Sequence, residues 1–523
     1  MSSFQIFNNV PFPSPIQIEN EQNGNIYIDS RDNTVVNTRN PYASTAFGEN
    51  ITAKLTPVIQ LQFPYFINPN NVIQFTNGSG TLTNTNSQLN LTSGTTILSD
   101  AALASKDFLS YQPGAGALAR FTAGFTTGNQ SIGTFQQIGV GNQEDGFFFS
   151  YTSNDMNIII RKGGLRTQYT LEITTGATLG GDIILTLNGV AQNITVTTGG
   201  INTNATEIAT YNFPLYRNSS NGNTVNIIAQ RTGTQSGTFS FNANGTGMVA
   251  TLTEQVTGVQ EQTTTINRSN WNKDTCDNTD YIPLIDWSKG NVFQIKYQWL
   301  GYGVVSFYIE NPTNGYITLV HEYLYPNTNT TPSINNPSLQ FLVNVANALT
   351  TNNVSMFCSS VGCFIEGDIG LSGGNIFGNH VANTFSNSSV GNTVYENIVS
   401  FRNPPYFQNT STRAVVLILR ITVTVSAGTT IKILRNPTLT GGTDWTVTPN
   451  QLIETSTSAG NVTDDGELVY IERGEKQDRF VIDPLKTDNS IVKIHPGDFI
   501  TIAGIADTGS SSVVLAVNWL EPV

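Results

Sequence analysis

Charge is what this sequence has least of. Asp, Glu, Lys and Arg make up 12% of the 523 residues, about half the roughly 25% of an ordinary soluble domain. The 24 basic residues are outnumbered by 37 acidic ones, leaving a net charge of −13 and no basic run. The electrostatic footprint of a nucleic-acid-binding protein is therefore missing. Cysteine is scarce too: three residues cannot make a disulfide framework. Cys276 lies in a polar loop, and Cys358 and Cys363 flank a short segment with no four-ligand zinc set around them. They read as free thiols of a protein made in a reducing cytoplasm. No stretch approaches the roughly 18 apolar residues of a membrane span. The longest, Ala414–Leu419, has strand length and sits between Arg413 and Arg420. Residues 1–6 have no basic n-region, and Pro11, Pro13 and Pro15 would interrupt a signal-peptide core. The Glu, Lys, Leu and Ala that a helical bundle needs are also thin.

What is present points one way. The chain has 28 Phe, 18 Tyr and 5 Trp, enough to bury a core, which a disordered acidic chain would lack. The remainder is rich in Gly, Asn, Thr, Ser and Gln. Sequons such as Asn50, Asn77, Asn90, Asn193, Asn353 and Asn461 follow from that composition and carry little weight as glycosylation sites. The expectation is a folded β-rich protein with a polar, uncharged surface.

Four segments emerge along the chain. Residues 1–50 read as an extended arm punctuated by proline, with one strand pattern at Asn25–Ile28. Residues 51–166 carry short strands at roughly ten-residue spacing, the pattern of a sandwich or jelly roll. Among them are Val58–Phe63, Val72–Phe75, Thr95–Leu98, Ala117–Phe125, and Gln136–Val140 turning at Glu144-Asp145-Gly146 into Phe147–Tyr151. Residues 167–262 lose their aromatics and gain Thr, Gly and Asn, and read as a small inserted β domain. It holds the best helix candidate, Thr203–Tyr211, with Thr203 expected as N-cap and Glu207 in the first turn. Aromatic patterns resume at Trp271, so residues 263–372 complete the first sandwich. Residues 373–523 read as a second β-sandwich, with Thr412–Val425 and Val513–Trp519 among its strands.

Motifs that carry chemistry are few. His321, His380 and His495 are far apart, with no H-x-x-x-H spacing. Gly139-Val-Gly141 and Gly301-Tyr-Gly303 read as hairpin glycines. Alternation places Glu366 and Asp368 on one strand face, as in some β-sandwich glycosidases, but no third acid follows, and a solvated strand end is the better reading. Asp274, Asp277 and Asp280 stand at three-residue intervals and form a weak calcium candidate; the spacing is not that of an EF-hand, and Lys273 lies inside the loop. Trp271, Trp299 and Trp445 could stack on sugars, though Trp299 falls in a core-like strand pattern. No catalytic residue and no cofactor is implied.

Several stretches carry a resemblance: Pro41–Glu49, Thr56–Leu61, Tyr111-Gln-Pro-Gly114 through Thr122, Gly139–Gly141 with Asp145–Phe149, Asn291 through Gly303, and Asn335–Ser338. Over about residues 40–372, weakening across 167–262, the chain resembles a broad group of β-rich proteins of large double-stranded DNA viruses and tailed phages. Where related chains often have an Asp-Gly-rich turn after the acidic loop, this one reads Asp277-Asn-Thr-Asp280.

The resemblance implies a lectin-like jelly-roll core; with the strand patterns above, the expected fold is all-β, a lectin-like jelly roll or β-sandwich with an inserted small mostly-β domain, followed by a second C-terminal β-sandwich. It implies a virion-surface role as a fibre, spike, decoration or minor capsid protein, made in the host cytoplasm. Expected partners are other copies of the chain, as a homotrimer, other virion proteins, and a host-surface glycan or receptor. Neither nucleic acid nor membrane insertion is expected. Two alternatives stay open: a carbohydrate-active enzyme or free lectin, and a shell-forming double jelly-roll capsid protein.

Overall fold

The computed structural model describes residues 17–20, 24–27, 54–128, 133–211, 213, 216–278, 281–367, 379–407, 410–440, 445–448, 451–458, 460–482 and 492–522. Among these the protein is all-β, with one α-helix. Most of the expected N-terminal arm lies outside the described residues; within it, Gln17–Asn20 pairs antiparallel with Gly24–Tyr27.

The first module is a sandwich of two antiparallel sheets. One has seven strands, in the order Gln262–Asn267, Asp155–Lys162, Gly146–Thr152, Thr134–Gly141, Phe341–Asn347, Ser99–Ser105 and Val72–Asn77. The other runs Ile317–Tyr323, Val305–Glu310, Asn291–Tyr297 and Ala117–Phe125, then forks. One branch is Ser355–Cys358, Gln88–Thr92 and Thr81–Thr85; the other is Ser360–Glu366 and Leu55–Gln62. The fork is a break at Ser359, where the backbone N–H groups of Ser359 and Ser360 both donate to the Thr122 hydroxyl, at 2.9 and 3.2 Å.

Alternation along these strands builds the core. Phe121, Phe147, Phe149, Phe293, Phe307 and Phe341 are essentially fully buried between the sheets, and the Phe149 and Phe293 ring centroids lie 4.9 Å apart. The seven-stranded sheet is also apolar on its outer side, where Ala102, Ala104, Phe148, Ile159 and Leu342 form a second buried cluster. That explains the unbroken run Phe147-Phe-Phe149: both faces of the strand are covered.

The inserted module has a four-stranded sheet of Tyr216–Asn221, Thr224–Thr232, Arg166–Thr175 and Val249–Val256. Against it stand a three-stranded sheet of Val190–Val196, Gly181–Leu187 and Ser240–Asn242, and the helix, around their own core. The helix spans Ile201–Thr210, two residues earlier than the sequence suggests, and its N-cap is Gly200 rather than Thr203. Asn204 and Glu207 instead pin it to neighbouring backbone: Asn204 Oδ1 accepts from Ala177 N–H at 2.8 Å, and Glu207 accepts from Thr197 N–H at 3.0 Å.

The C-terminal module is a second sandwich. One sheet carries Asn379–Val390, Ser511–Glu521 and Val416–Val425, the last pairing with both Arg479–Ile482 and Val492–Ile494. The other runs Thr446–Val447, Glu454–Ser456, Glu396–Arg402, Phe499–Ala506, Thr429–Arg435 and Glu467–Gly474. Trp519 and Phe401 fill its core.

One expected strand is a loop. At Thr95–Leu98 the chain turns, with Leu98 at φ +64°, and the strand begins at Ser99. Asn77 holds the turn by donating to the Leu98 carbonyl at 2.7 Å. Ile97 and Leu98 are exposed, so their apolar character builds no buried face.

Candidate functional site

The three modules meet on the outer side of the seven-stranded sheet, and the meeting point is ionic. Glu144 and Asp145 occupy the turn between Thr134–Gly141 and Gly146–Thr152, where the sequence shows only a hairpin signal. The turn is shaped by Asn142, whose Oδ1 accepts from the N–H groups of Glu144 and Asp145 at 2.7 and 3.0 Å. Gly141 leads into it at φ +148°, and a Cβ there would come within 2.4 Å of the Asp145 carbonyl oxygen. The turn points its two carboxylates at the other modules.

Arg413, just before strand Val416–Val425 of the C-terminal module, donates to Glu144 at 3.0 Å, to Asp145 at 2.9 Å and to the Asn336 carbonyl at 2.7 Å. Arg166, at the first residue of the inserted module's leading strand, meets Glu144 at 3.1 Å and donates to the Ser411 hydroxyl at 2.7 Å. Ser411 in turn donates to Glu144 at 2.5 Å. Asp145 also accepts from the N–H groups of Gly163 and Asn335, at 2.9 and 2.8 Å. One turn of the first sandwich thus holds both other modules. The side chains of Arg413 and Asp145 are only 4% and 3% exposed, so the pairing is made out of water. Burial pushes the Glu144 carboxyl up, but Arg166, Arg413 and the Ser411 hydrogen bond outweigh it and hold the group below its ordinary value.

A second clamp lies at the end of strand Ser99–Ser105. Asp107 accepts from Lys493 and meets His495 Nε2, both at 3.0 Å, and Lys106 faces Asp498 at 3.4 Å. Burial works against a charged His495, yet the hydrogen bonds and charges of Asp107 and Asp498 prevail and raise its pKa. Asp498 is held down at about 2, against burial, by His495, Asn436 and Lys106.

Between the clamps is a cleft of about 150 Å³. Phe75, Asp100, Asn344 and Leu342 of the first module line it, with Arg217 and Arg231 of the inserted module and Tyr406, Thr412 and Arg413 of the C-terminal module. The Arg217 guanidinium lies 3.8 Å from the centre of the Phe75 ring.

The acids, tryptophans and histidines that stand out in the sequence fall elsewhere, with one exception. Glu366 is buried on the outer face of the forked sheet, 3.7 Å from Lys296 Nζ, and Asp368 lies outside the described residues. Asp274 Oδ1 accepts from Cys276 N–H at 2.7 Å, and Oδ2 from Tyr281 and Ile282 N–H at 2.8 and 2.9 Å. Both oxygens thus organise the loop's own backbone. Asp277 faces Arg268 at 3.8 Å, and Asp280 lies outside the described residues. The described residues contain no group of three or more His, Cys, Asp or Glu able to hold a metal ion. Trp271 is buried in the first core and Trp299 packs edge-on against Tyr111. Trp445 is covered by Arg402, 4.6 Å from its ring centre. Of the histidines, His380 is exposed, while His321 is buried and accepts from Asn272 N–H at 3.2 Å. The exception is His495, which joins a junction. No described helix is long and apolar enough to cross a membrane.

No family model matches the chain, and no curated protein matches it in sequence. Solved structures similar to it are legume-lectin-type sandwiches. A legume lectin-like domain from Entamoeba histolytica is 9% identical, covering 60% of this chain and 98% of that one at a TM-score of 0.26. Peanut lectin is 10% identical, covering 59% and 98% at 0.25. Arcelin-5 from Phaseolus vulgaris is 13% identical, covering 60% and 100% at 0.24. Likeness at this level transfers no ligand and no role.

Proposed function

We propose that this chain is a structural protein displayed on the surface of a virus particle, a fibre, spike or minor capsid component that contacts the host surface. The observation that carries the reading is the buried ionic node of Arg413, Glu144, Asp145 and Arg166, which holds three β modules to one another. Such a node contributes geometry more than stability: charges taken out of water gain little net free energy but penalise every arrangement that unpairs them. A displayed protein needs that fixed geometry. The polar, weakly charged composition suits it as well, because Asn, Thr and Ser offer hydrogen bonds to neighbours without long-range repulsion.

Size-exclusion chromatography with light scattering, run beside a glycan-hydrolysis panel, tests the reading. A stable homo-oligomer, expected to be a trimer, with no turnover supports it. A monomer that hydrolyses glycans, with activity lost in Glu366→Gln, would replace it with the enzyme reading.

A further inference from the structure

The junction cleft has an electrostatic imbalance. Four arginines line it: Arg166, Arg217, Arg231 and Arg413. Arg166 and Arg413 are neutralised by Glu144 and Asp145, and Arg231 acts electrostatically on Asp100. The Arg217 side chain has neither a hydrogen bond nor an ion pair among the described residues; its guanidinium lies on the apolar face of Phe75. Burial, with Arg166 nearby, depresses its pKa to about 10 although the Tyr406 hydroxyl opposes the shift. The stacking on Phe75 is favourable, but it leaves the N–H donors of the group without an acceptor among the described residues, beside an open cleft in a protein of net charge −13.

Three other side chains lining the cleft each keep one unsatisfied oxygen. Asn344 is 2% exposed and Thr412 8% exposed. Asn344 Oδ1, Thr412 Oγ1 and Asp100 Oδ1 are buried without a hydrogen-bond partner among the described residues. Buried polar atoms are rarely left unsatisfied unless something else uses them. The set is chemically mixed. An arginine supplies fixed donors, a carboxamide and a hydroxyl can each donate or accept, and a carboxylate oxygen accepts. A bare anion would engage the arginine and be repelled by Asp100. A molecule carrying both a carboxylate and hydroxyls engages all four. A cavity of about 150 Å³ admits a group the size of benzene, so the cleft takes the carboxylate end and part of the ring of an acidic sugar, with the rest at its mouth.

We propose that the cleft binds a small hydroxylated carboxylate, an acidic sugar unit about one ring in size, with Arg217 on its carboxylate and Asp100, Asn344 and Thr412 on its hydroxyls. This site is independent of where the protein is displayed, and the test can fail without touching the particle-surface reading.

Titration calorimetry of the full chain with D-glucuronate, at low salt and pH 7, is the experiment. The proposal expects saturable binding, with D-glucose and inorganic phosphate each at least tenfold weaker. Arg217→Gln should weaken glucuronate at least tenfold. Thr412→Val, which removes a hydroxyl with no other partner among the described residues, should keep the fold and weaken binding severalfold. No saturable glucuronate binding, or glucose or phosphate bound equally well, overturns the proposal; so does unchanged affinity in folded Thr412→Val together with unchanged affinity in Arg217→Gln.

Discussion

Arg413 shows what a residue can do that its neighbours in sequence do not announce. It flanks an apolar run and reads as a strand boundary, and Glu144-Asp145 reads as a turn. Their partnership spans 269 and 268 positions. Nothing local in a sequence encodes a pairing that long, whereas the strand alternation that fills the core is local and legible. The same contrast holds for Asp274, visible as one of three spaced acids, whose work on three backbone N–H groups depends on how the loop folds back. Asp274→Ala leaves the Cys276 and Ile282 donors buried without an acceptor, at a cost of about 1–3 kcal/mol each. Chemical denaturation should show a total loss of about 2–6 kcal/mol. The cysteines test a simpler point. Burial pushes the Cys358 thiol up to about 12 and those of Cys276 and Cys363 higher. All three should resist a disulfide-exchange reagent in the native protein and react at once in denaturant; fast labelling of any one in the native state would contradict the packing described.

At the scale of elements, the sandwich strands are readable because alternation and glycine-bearing turns coincide. Where sequence and structure differ, the causes are physical. Ser99–Ser105, Ser-Asp-Ala-Ala-Leu-Ala-Ser, is built of small side chains apart from Asp100 and Leu103, and holds its place by pairing on both sides with Val72–Asn77 and Phe341–Asn347. Thr95–Leu98 has strand propensity but is bent by Asn77. The helix is legible but its start is not, because Asn204 rather than a capping side chain fixes it. Asn204 is fully buried and also donates to the Thr197 carbonyl at 2.9 Å. Asn204→Ala should therefore cost about 1–3 kcal/mol, as the buried Ala177 N–H and the Thr197 carbonyl lose their partner. Hydrogen exchange should show faster exchange across Ile201–Thr210 while the first sandwich stays protected.

For the whole molecule, the clamps set how stability follows pH. His495 has a raised pKa, so its contribution is fully present below the unfolded value near 6.5 and is lost as pH rises through the folded one. Glu144, Asp107 and Asp498 have lowered pKa values, so theirs are present above the unfolded values near 4 and are lost as pH falls through the folded ones. Stability of docking should peak between about pH 5 and 6.5. Denaturation midpoints at pH 3, 5.5 and 9 should be highest in the middle; His495→Gln should flatten the alkaline side and also soften the acid side in part, because His495 helps to hold Asp107 and Asp498 down.

One buried ionic node holds three β modules as a single body. Removing Arg413 leaves Asp145 without its cation and Glu144 with Arg166 alone, a change worth about 3–5 kcal/mol when a buried pair is broken from one side. Differential scanning calorimetry of wild type and Arg413→Ala at pH 6 tests it most directly. The wild type should give one cooperative transition, which separates into module transitions in the variant. Separate transitions already present in the wild type, or a variant trace that overlays it, would contradict the account.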